Sequence, residues 1–288
     1  MAERPEVVDH YGAQYREFAA DVYAEVRRAA FGEDIGQNSW LTVDELERFI
    51  SRLELRPTAR LLDVACGSGG PSLRIARLTG CQVVGVELYD EAVAEGTRLA
   101  QEAGLEKRAS FVQADASETL PFEDGFFDAI FCIDAINHLA DRPRVLGDWA
   151  RLLRPRGRLL FTDPVVITGI LDSEEIALRT SIGYFVFLPA DENERLLASA
   201  GLTVVDVEDT TDYLAEIATR RRDARAERAQ PLRQIEGDAV FDGRQRFFDV
   251  VATLARERRL SRFAYTAEKQ AGLSGSSRTD IPFPEDHP

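Results

Sequence analysis

The sequence predicts an α/β protein built on a doubly wound, mostly parallel sheet of seven strands. Short apolar runs alternate with helical stretches from about residue 59 onward, and alternation of this length is typical of a parallel sheet with helices on both faces. Helical patterns also precede the first run and interrupt the alternation after the fifth. We therefore expect N-terminal helices ahead of the sheet domain and helical lid insertions within it.

Residues 1–56 are expected to form an N-terminal helical cap. Apolar residues recur at helical spacing over 8–26, and the loop that follows ends at Trp40. Thr42 and Glu45 then form a capping box, which predicts a second helix that begins beside Thr42.

Seven apolar runs within residues 57–269 predict the strands of the main domain. These runs lie at 60–65, 82–87, 110–113, 127–133, 158–162, 203–207 and 261–266. Helices are expected between them at 72–79, 91–103, 142–153 and 191–200, the third of them capped by Asp141. Segments at about 165–190 and 211–259 are expected to be lid insertions, the second with helices at 212–229 and 243–259. Residues 270–288 contain Gly, Ser and Pro and few apolar residues, which predicts a disordered tail.

A glycine-rich turn follows the first predicted strand, in the sequence Leu-Leu-Asp-Val-Ala-Cys-Gly-Ser-Gly-Gly-Pro at 61–71. Glycines there let the backbone approach a ligand closely, and the next helix points its free N–H groups toward the turn. The dinucleotide fingerprint G-x-G-x-x-G fails because Ser72 occupies the place of the third glycine. Asp63 stands just before the turn, where its negative charge suits the cationic end of an amino acid better than a diphosphate.

Two further carboxylates end the next two predicted strands. Glu87 lies twenty residues after Gly67, and a carboxylate in this place accepts the hydroxyls of a ribose in dinucleotide folds. The alternative for Glu87 is an ordinary helix-capping acid. Asp115 ends the third strand and suits an adenine amino group. Because the carboxyl ends of parallel strands face one crevice, the sequence predicts a single ligand site there.

These motifs, in this order and spacing, resemble those of the class I S-adenosylmethionine (SAM) dependent methyltransferases, which have a Rossmann-like fold. The match covers about residues 59–165 and includes Val-Val-Gly-Val-Glu at 83–87, Gln-Ala-Asp-Ala at 113–116 and Leu-Leu-Arg-Pro-Arg-Gly-Arg-Leu at 152–159. The sequence is similar to small-molecule enzymes of the ubiquinone/menaquinone C-methyltransferase and sarcosine/tocopherol methyltransferase type.

The resemblance implies that SAM is the cofactor. It implies that Gly67 and Gly69 pass the methionine part of SAM, that Glu87 holds the ribose, and that Asp115 with Ala116 meets the adenine. The cofactor-binding residues implied in this way are Trp40, Asp63, Ala65, Gly67, Gly69, Glu87, Leu88, Asp115, Ala116 and Ile133. Ala65 departs from the family pattern, in which glycine is usual, and its methyl group is tolerated there if its φ is negative.

Methyl transfer from a sulfonium mainly requires that donor and acceptor be positioned and water excluded, whereas a hydroxyl acceptor also needs a base. His138 follows the fourth predicted strand and is the predicted catalytic residue, as general base. The alternative is a histidine that only fixes the loop. Asp134 is equally placed to orient the substrate or to bond the loop backbone.

The lid segments are rich in aromatic residues, which predicts a small, largely apolar organic acceptor that is methylated on O, N or C. These residues are Tyr184, Phe185, Phe187, Tyr213, Phe241, Phe247 and Phe248.

Composition argues against several partners. The formal net charge of −15 repels phosphate backbones, so no nucleic acid is expected. Acidic residues are interleaved in the basic stretch from Arg220 to Arg233, which predicts a solvated, ion-paired helix face. No apolar run approaches the ~20 residues that cross a bilayer. The charged segment from Met1 to His10 has no apolar stretch, so we do not expect a secretory signal. The three cysteines share no metal-ligand spacing and indicate reduced thiols, so we expect a cytoplasmic protein without a metal. The sequence leaves the oligomeric state open.

Other functions are compatible with parts of this pattern. A nicotinamide-dependent oxidoreductase uses the same kind of sheet but lacks support because the third glycine is missing. A non-catalytic SAM-binding protein stays an alternative because no unmistakable catalytic group is present. A macromolecular methyltransferase is disfavoured by the charge and by lids suited to a closed pocket.

Overall fold

The computed structural model describes residues 21–271, which fold into ten α-helices and eight strands. The helices are α1 (Asp21–Phe31), α2 (Val43–Leu53), α3 (Gly70–Thr79), α4 (Asp90–Glu102), α5 (Arg142–Leu152), α6 (Ser173–Arg179), α7 (Glu192–Ser199), α8 (Thr211–Glu227), α9 (Ala229–Glu236) and α10 (Asp238–Arg256). The strands are β1 (Arg60–Val64), β2 (Gln82–Glu87), β3 (Ala109–Gln113), β4 (Phe127–Cys132), β5 (Leu153–Ile167), β6 (Leu188–Pro189), β7 (Leu202–Asp209) and β8 (Leu260–Lys269). A 3₁₀ turn, Ile136–His138, follows β4.

The seven predicted strands form one sheet in the order β3-β2-β1-β4-β5-β8-β7. β8 runs antiparallel to both of its neighbours, and the other pairs along this path are parallel. The two-residue strand β6, which the sequence pattern did not predict, adds to the end of β5. The strand order reverses between β1 and β4, so the carboxyl ends of these two strands flank the crevice in which such sheets bind ligands.

Local sequence signals set several helix starts as expected. The Thr42 hydroxyl accepts from the backbone N–H of Glu45 while the Glu45 carboxylate accepts from that of Thr42, which completes the predicted capping box. Asp141 caps α5 by accepting from the N–H of Arg144 at 3.2 Å. These caps satisfy backbone donors that the first turn of a helix leaves without partners.

The segment 211–259, which the sequence predicts to be a lid insertion, contains three helices, so the prediction of two helices there was wrong. Pro231 lies in the first turn of α9, where its missing N–H costs nothing, but it cannot continue the helix α8 because its ring would clash with the carbonyl four residues earlier. Gly237 separates α9 from α10 with φ of 80°, a conformation that glycine adopts readily.

The cap and the lid pack on each other beside the sheet. α1 packs against α8, and α8 packs against α10. Phe31, Trp40, Leu214, Phe247 and Phe248 belong to one buried apolar cluster that joins these elements. The predicted helix over 8–26 falls within the described residues only from Asp21 onward, and the predicted tail lies outside them from residue 272. No helix of the described range 21–271 is long and apolar enough to span a bilayer.

A fully buried arginine connects the cap, the sheet and the lid. The side chain of Arg262 on β8 is 0% exposed. Its Nη1 donates to Glu45 of α2 at 2.6 Å, and its Nε donates to Asp134, just after β4, at 2.7 Å. The same Nη1 donates to Thr210, at the start of α8, at 3.0 Å. We call Arg262, Glu45 and Asp134 the buried charge triad.

Arg262→Met is expected to lower the free energy of unfolding by about 3–5 kcal/mol, because two buried carboxylates lose their cation. The control is Arg98→Met on α4, whose side chain is 50% exposed and pairs with Glu95 and Glu102. Because exposed ion pairs contribute little to stability, its loss is expected to change the free energy of unfolding much less. Urea unfolding followed by circular dichroism measures both. Equal shifts for the two variants would contradict the assigned role of the triad.

Candidate cofactor and acceptor site

A cavity of about 520 Å³ lies at the carboxyl ends of β1, β2, β3 and β4. It brings together nine of the ten predicted cofactor residues and the predicted catalytic residue. These are Trp40, Asp63, Ala65, Gly67, Glu87, Leu88, Asp115, Ala116, Ile133 and His138. The cavity continues from the glycine-rich turn to the aromatic residues of the lid, so it can hold a cofactor and an acceptor side by side.

The glycine-rich turn is held by left-handed backbone at three positions. Ala65 has φ of 54°, Gly67 of 57° and Gly69 of 76°. The condition under which a methyl group is tolerated here, a negative φ, is therefore not met, and Ala65 has a conformation that costs an alanine about 1 kcal/mol.

Gly69 does not line the cavity, unlike the other predicted cofactor residues. A Cβ at this position would come within 2.4 Å of the Phe111 ring, and Gly69 is also the N-cap of α3. The structure thus explains this glycine by backbone conformation and by close packing against β3.

Two buried carboxylates lie on the strand side of the cavity. Asp63 is 4% exposed and Glu87 6% exposed. Burial raises the pKa of Asp63 to about 7, against the opposing hydrogen bond from Ser72 and with the help of the nearby Glu87. Burial also raises the pKa of Glu87, whereas hydrogen bonds from Gly67, Leu88 and Tyr89 lower it. A cationic ligand would favour the charged forms of both acids, so the pair fits the ammonium and sulfonium groups of SAM.

The carboxylate of Glu87 spans the glycine-rich turn and the end of β2. One oxygen accepts from the N–H of Gly67 at 2.9 Å, and the other accepts from the N–H of Leu88 at 2.8 Å. A carboxylate has about four lone-pair sites, so Glu87 can accept further hydrogen bonds from ribose hydroxyls. Asp115 accepts from the N–H and the hydroxyl of Ser117 at 2.8 and 2.7 Å, which fixes its side chain at the rim.

The sequence left two roles open for Asp134, orienting the substrate or bonding the loop backbone, and the hydrogen bonds of its carboxylate support the second. It accepts from the backbone N–H of Trp40 at 2.9 Å and from the Thr162 hydroxyl at 2.7 Å, in addition to Arg262. Its carboxylate therefore holds the cap loop, and with it the Trp40 ring, against the crevice, so it is a positioning residue.

His138 lies on the 3₁₀ turn between the cofactor side and the lid. Its Nδ1 is 2.8 Å from the carbonyl of Tyr184, so the hydrogen on this nitrogen is donated to the lid. The imidazole is 4.6 Å from the ring of Phe185. Burial lowers the pKa of His138 to about 4, and the charge of Arg179 contributes to the shift. His138 is therefore neutral at neutral pH.

Four of the seven predicted lid aromatics line the cavity: Tyr184, Phe185, Phe247 and Phe248. Phe187, Tyr213 and Phe241 do not. Tyr213 instead packs under the guanidinium of Arg48 at 5.1 Å, and Phe241 belongs to a separate buried cluster with Tyr23 and Leu232.

The arginines of the basic stretch on α8 and α9 lie in two different environments, the protein surface and the cavity. Arg220, Arg222, Arg228 and Arg233 pair with acidic residues at the surface, as predicted. Arg221 and Arg225, however, line the cavity, where they join Arg179 of α6 and Arg244 of α10. We call these four residues the arginine wall. The prediction of a solvated face was wrong for Arg221 and Arg225.

Sequence reasoning also missed two polar residues of the cavity. Asn137 is fully buried, and in the part of the chain that the structure describes neither its amide nitrogen nor its side-chain oxygen has a hydrogen-bond partner. The buried hydroxyl of Ser68, beside Gly67, lacks a partner among these residues as well. Unpaired buried polar groups cost about 1–3 kcal/mol each, so both groups fit a site that a ligand completes. Their positions next to His138 and within the glycine-rich turn were the available signals.

We expect His138 to make stability depend on pH below neutrality. Unfolded His138 takes up a proton near pH 6.5, whereas the folded protein resists protonation until about pH 4, so its contribution to the free energy of unfolding falls as the pH falls through this window. Between pH 7 and pH 5, wild type should lose about 2 kcal/mol more than His138→Gln, since one pKa unit corresponds to about 1.4 kcal/mol. Urea unfolding of both proteins at the two pH values measures this. Asp63 titrates in both proteins, so its effect cancels when the two stabilities are compared. If the free energy of unfolding changed equally with pH in both proteins, the assignment of a buried, neutral imidazole would be contradicted.

Comparisons with known proteins agree with this geometry. Residues 62–161 match the family model of a methyltransferase domain. The chain is 30% identical over 226 residues to the 27-O-demethylrifamycin SV methyltransferase of Amycolatopsis mediterranei, which covers 74% of this chain and 81% of that protein. It is 32% identical over 205 residues to methyltransferase GfsG of Streptomyces halstedii, which covers 65% of this chain and 72% of that protein.

A solved structure shows the same fold. Phosphoethanolamine N-methyltransferase 2 of Haemonchus contortus, in complex with S-adenosyl-L-methionine, matches with a TM-score of 0.76 at 22% identity, over 92% of this chain and 60% of that one. The comparisons confirm the resemblance drawn from the glycine-rich turn and the strand-end acids, and neither the oxidoreductase nor the non-catalytic alternative gains support. The chain belongs to the class I SAM-dependent methyltransferases.

Proposed function

We propose that this enzyme transfers the methyl group of SAM to a small organic acceptor with a largely apolar body, bound on the lid side of the cavity. The observation that carries this proposal is the continuity of one cavity from Glu87 and Gly67 to the rings of Trp40, Phe185 and Phe247. The Amycolatopsis mediterranei relative, by its name, methylates an oxygen of a small organic molecule, which supports an acceptor of this class.

Eight of the ten predicted cofactor residues have a role that their position supports, the exceptions being Ala65 and Gly69. Glu87 accepts from the ribose hydroxyls, and Asp115 with Ala116 binds the adenine. Asp63 attracts the ammonium group of the methionine part, to which Gly67 offers its backbone. The side chains of Trp40, Leu88 and Ile133 flank the cofactor and limit access of water.

Bound SAM supplies an activated methyl group on a sulfonium. The protein's own contribution is to bring the acceptor atom in line with that group and to keep water out. The cap loop, fixed by Asp134, and the lid helices α6, α8 and α10 enclose the acceptor. The unpaired amide of Asn137 provides a donor and an acceptor with which to orient a polar substituent.

His138 remains our proposed catalytic base for a hydroxyl acceptor. The hydrogen bond from Nδ1 to Tyr184 fixes the tautomer in which Nε2 is the accepting nitrogen. A base whose pKa is about 4 is too weak to deprotonate a free hydroxyl. It can take the proton once the oxygen begins to bond to the methyl group, because the hydroxyl then becomes strongly acidic. An amine or carbanion acceptor would use His138 only for positioning.

We also propose that the enzyme works on small molecules rather than nucleic acid and that it resides in the cytoplasm. The net charge of −15 supports the first point. The three cysteines are free and buried, which supports a reducing compartment.

Glu87→Ala is expected to weaken binding of S-adenosylhomocysteine by about tenfold or more, because charge-assisted hydrogen bonds contribute about 1.5–3 kcal/mol. The matched control is Glu102→Ala on α4, an exposed carboxylate that pairs with Arg98 and should leave the affinity unchanged. Calorimetric titration measures both variants. An unchanged dissociation constant for Glu87→Ala would remove Glu87 from the cofactor site.

A further inference from the structure

Two arginines of the lid share one carboxylate. Arg225 pairs with both oxygens of Glu236, at 3.0 and 2.7 Å, and Arg244 approaches the same carboxylate at 2.8 Å. Burial raises the pKa of Glu236, but the two arginines lower it by more, so that it lies below its ordinary value. Within residues 21–271, neither arginine pairs with another carboxylate. The three side chains therefore retain one unit of positive charge.

This charge is buried at the edge of the cavity. The side chains of Arg225 and Arg244 are 4% and 8% exposed and that of Glu236 is 1% exposed. The Nε atoms of both arginines are buried, and neither has a hydrogen-bond partner among residues 21–271. A buried net charge whose N–H donors are unused is unfavourable unless an opposite charge neutralises it and accepts hydrogen bonds from those donors. A bound anion would supply that counter-charge.

The other two members of the arginine wall lie beside aromatic rings of the cavity. Arg179 lies 4.6 Å from the centre of the Phe185 ring and is 2% exposed. Its charge contributes to the lowered pKa of His138, so its field extends to the proposed reaction site. Arg221 lies 4.8 Å from the centre of the Phe248 ring. Four arginines on one wall contrast with a chain whose net charge is −15.

Aromatic rings stand beside this charge. Trp40 and Phe247 are stacked at 6.3 Å with an interplanar angle of 23°, and Phe248 meets Trp40 edge to face at 6.1 Å. All three rings are buried and line the cavity. Flat apolar surface next to cations suits a molecule that combines an apolar body with an anionic group.

We propose that the methyl acceptor carries an oxyanion, a carboxylate or a phosphate, on its apolar body, and that the arginine wall binds this group. This inference rests on the proposed function, namely methyl transfer within this cavity. The aromatic rings then hold the body of the acceptor while the oxyanion fixes its orientation through charge-assisted hydrogen bonds. A protonated amine is disfavoured because its charge has the same sign as the wall.

The test uses probes with one apolar body and different charge. Full-length protein is first titrated with S-adenosylhomocysteine, and the loaded protein is then titrated with 2-naphthoate, 2-naphthyl phosphate, 2-naphthylmethanol and 2-naphthylmethylammonium. At least one anion should bind about tenfold or more tightly than the neutral alcohol, and the cation should bind weakest. The two anions distinguish a carboxylate site from a phosphate site.

Arg244→Gln tests the wall itself. It leaves the bidentate pair of Arg225 with Glu236 and removes the excess charge, so the anion preference should fall about tenfold while binding of the alcohol stays within about threefold. Arg98→Gln on the exposed face of α4 should retain the preference. Neutral or cationic probes that bind as well as the anions, or no measurable binding of either anion at millimolar concentration, would overturn the inference. Failure to bind S-adenosylhomocysteine at the first step would instead contradict the proposed function.

Discussion

The guanidinium of Arg262 stands between the carboxylates of Glu45 and Asp134, and the remaining parts of the site depend on this contact. The three residues come from β8, from the cap helix α2 and from the turn after β4. They lie far apart in the chain and meet only when the sheet is complete. A buried cation between two buried acids is strongly favoured over either acid alone, so the contact locks the cap to the last antiparallel strand pair. Through Asp134, it also fixes the backbone of Trp40 at the mouth of the cofactor crevice.

The cavity has two electrostatic halves. Its strand side presents Asp63, Glu87 and Asp115 at the ends of three parallel strands, and its lid side presents the arginine wall. A cationic cofactor is attracted to the first half and kept away from the second. In our proposal this division separates the cofactor from the acceptor, and His138 lies on the turn between β4 and α5 that connects the two sides. Positioning of this kind is most of what an already activated methyl donor requires.

Much of the fold follows from local patterns in the sequence. Alternating apolar runs predicted the seven principal strands, and the strand-end acids with the glycine-rich turn predicted the edge of the sheet at which the cavity lies. Capping signals at Thr42 and Asp141 predicted helix starts because the relevant hydrogen bonds are made within a few residues. The family resemblance rested on these same local motifs, and the comparisons confirmed it.

Features that depend on distant contacts were not predicted. The partners of Arg262 are separated from it by 128 and 217 positions, so no local pattern shows them. Arg221 and Arg225 were interpreted as solvated because acidic residues surround them in sequence. Yet they continue the spacing of Leu214 and Ala218 along one face of α8, which was a usable sign that they point inward. The positive φ of Ala65 follows from the geometry of the turn, which residue type alone does not determine.

We propose that the acidic strand side of the cavity binds SAM and its product rather than a dinucleotide. Calorimetric titration of the wild-type protein with S-adenosylhomocysteine, with NAD as comparator, tests it most directly. The structure predicts binding of S-adenosylhomocysteine at about micromolar concentration and no binding of NAD, whose diphosphate would face Asp63 and Glu87. Binding of NAD in place of S-adenosylhomocysteine, or binding of neither compound, would contradict this assignment of the cofactor site.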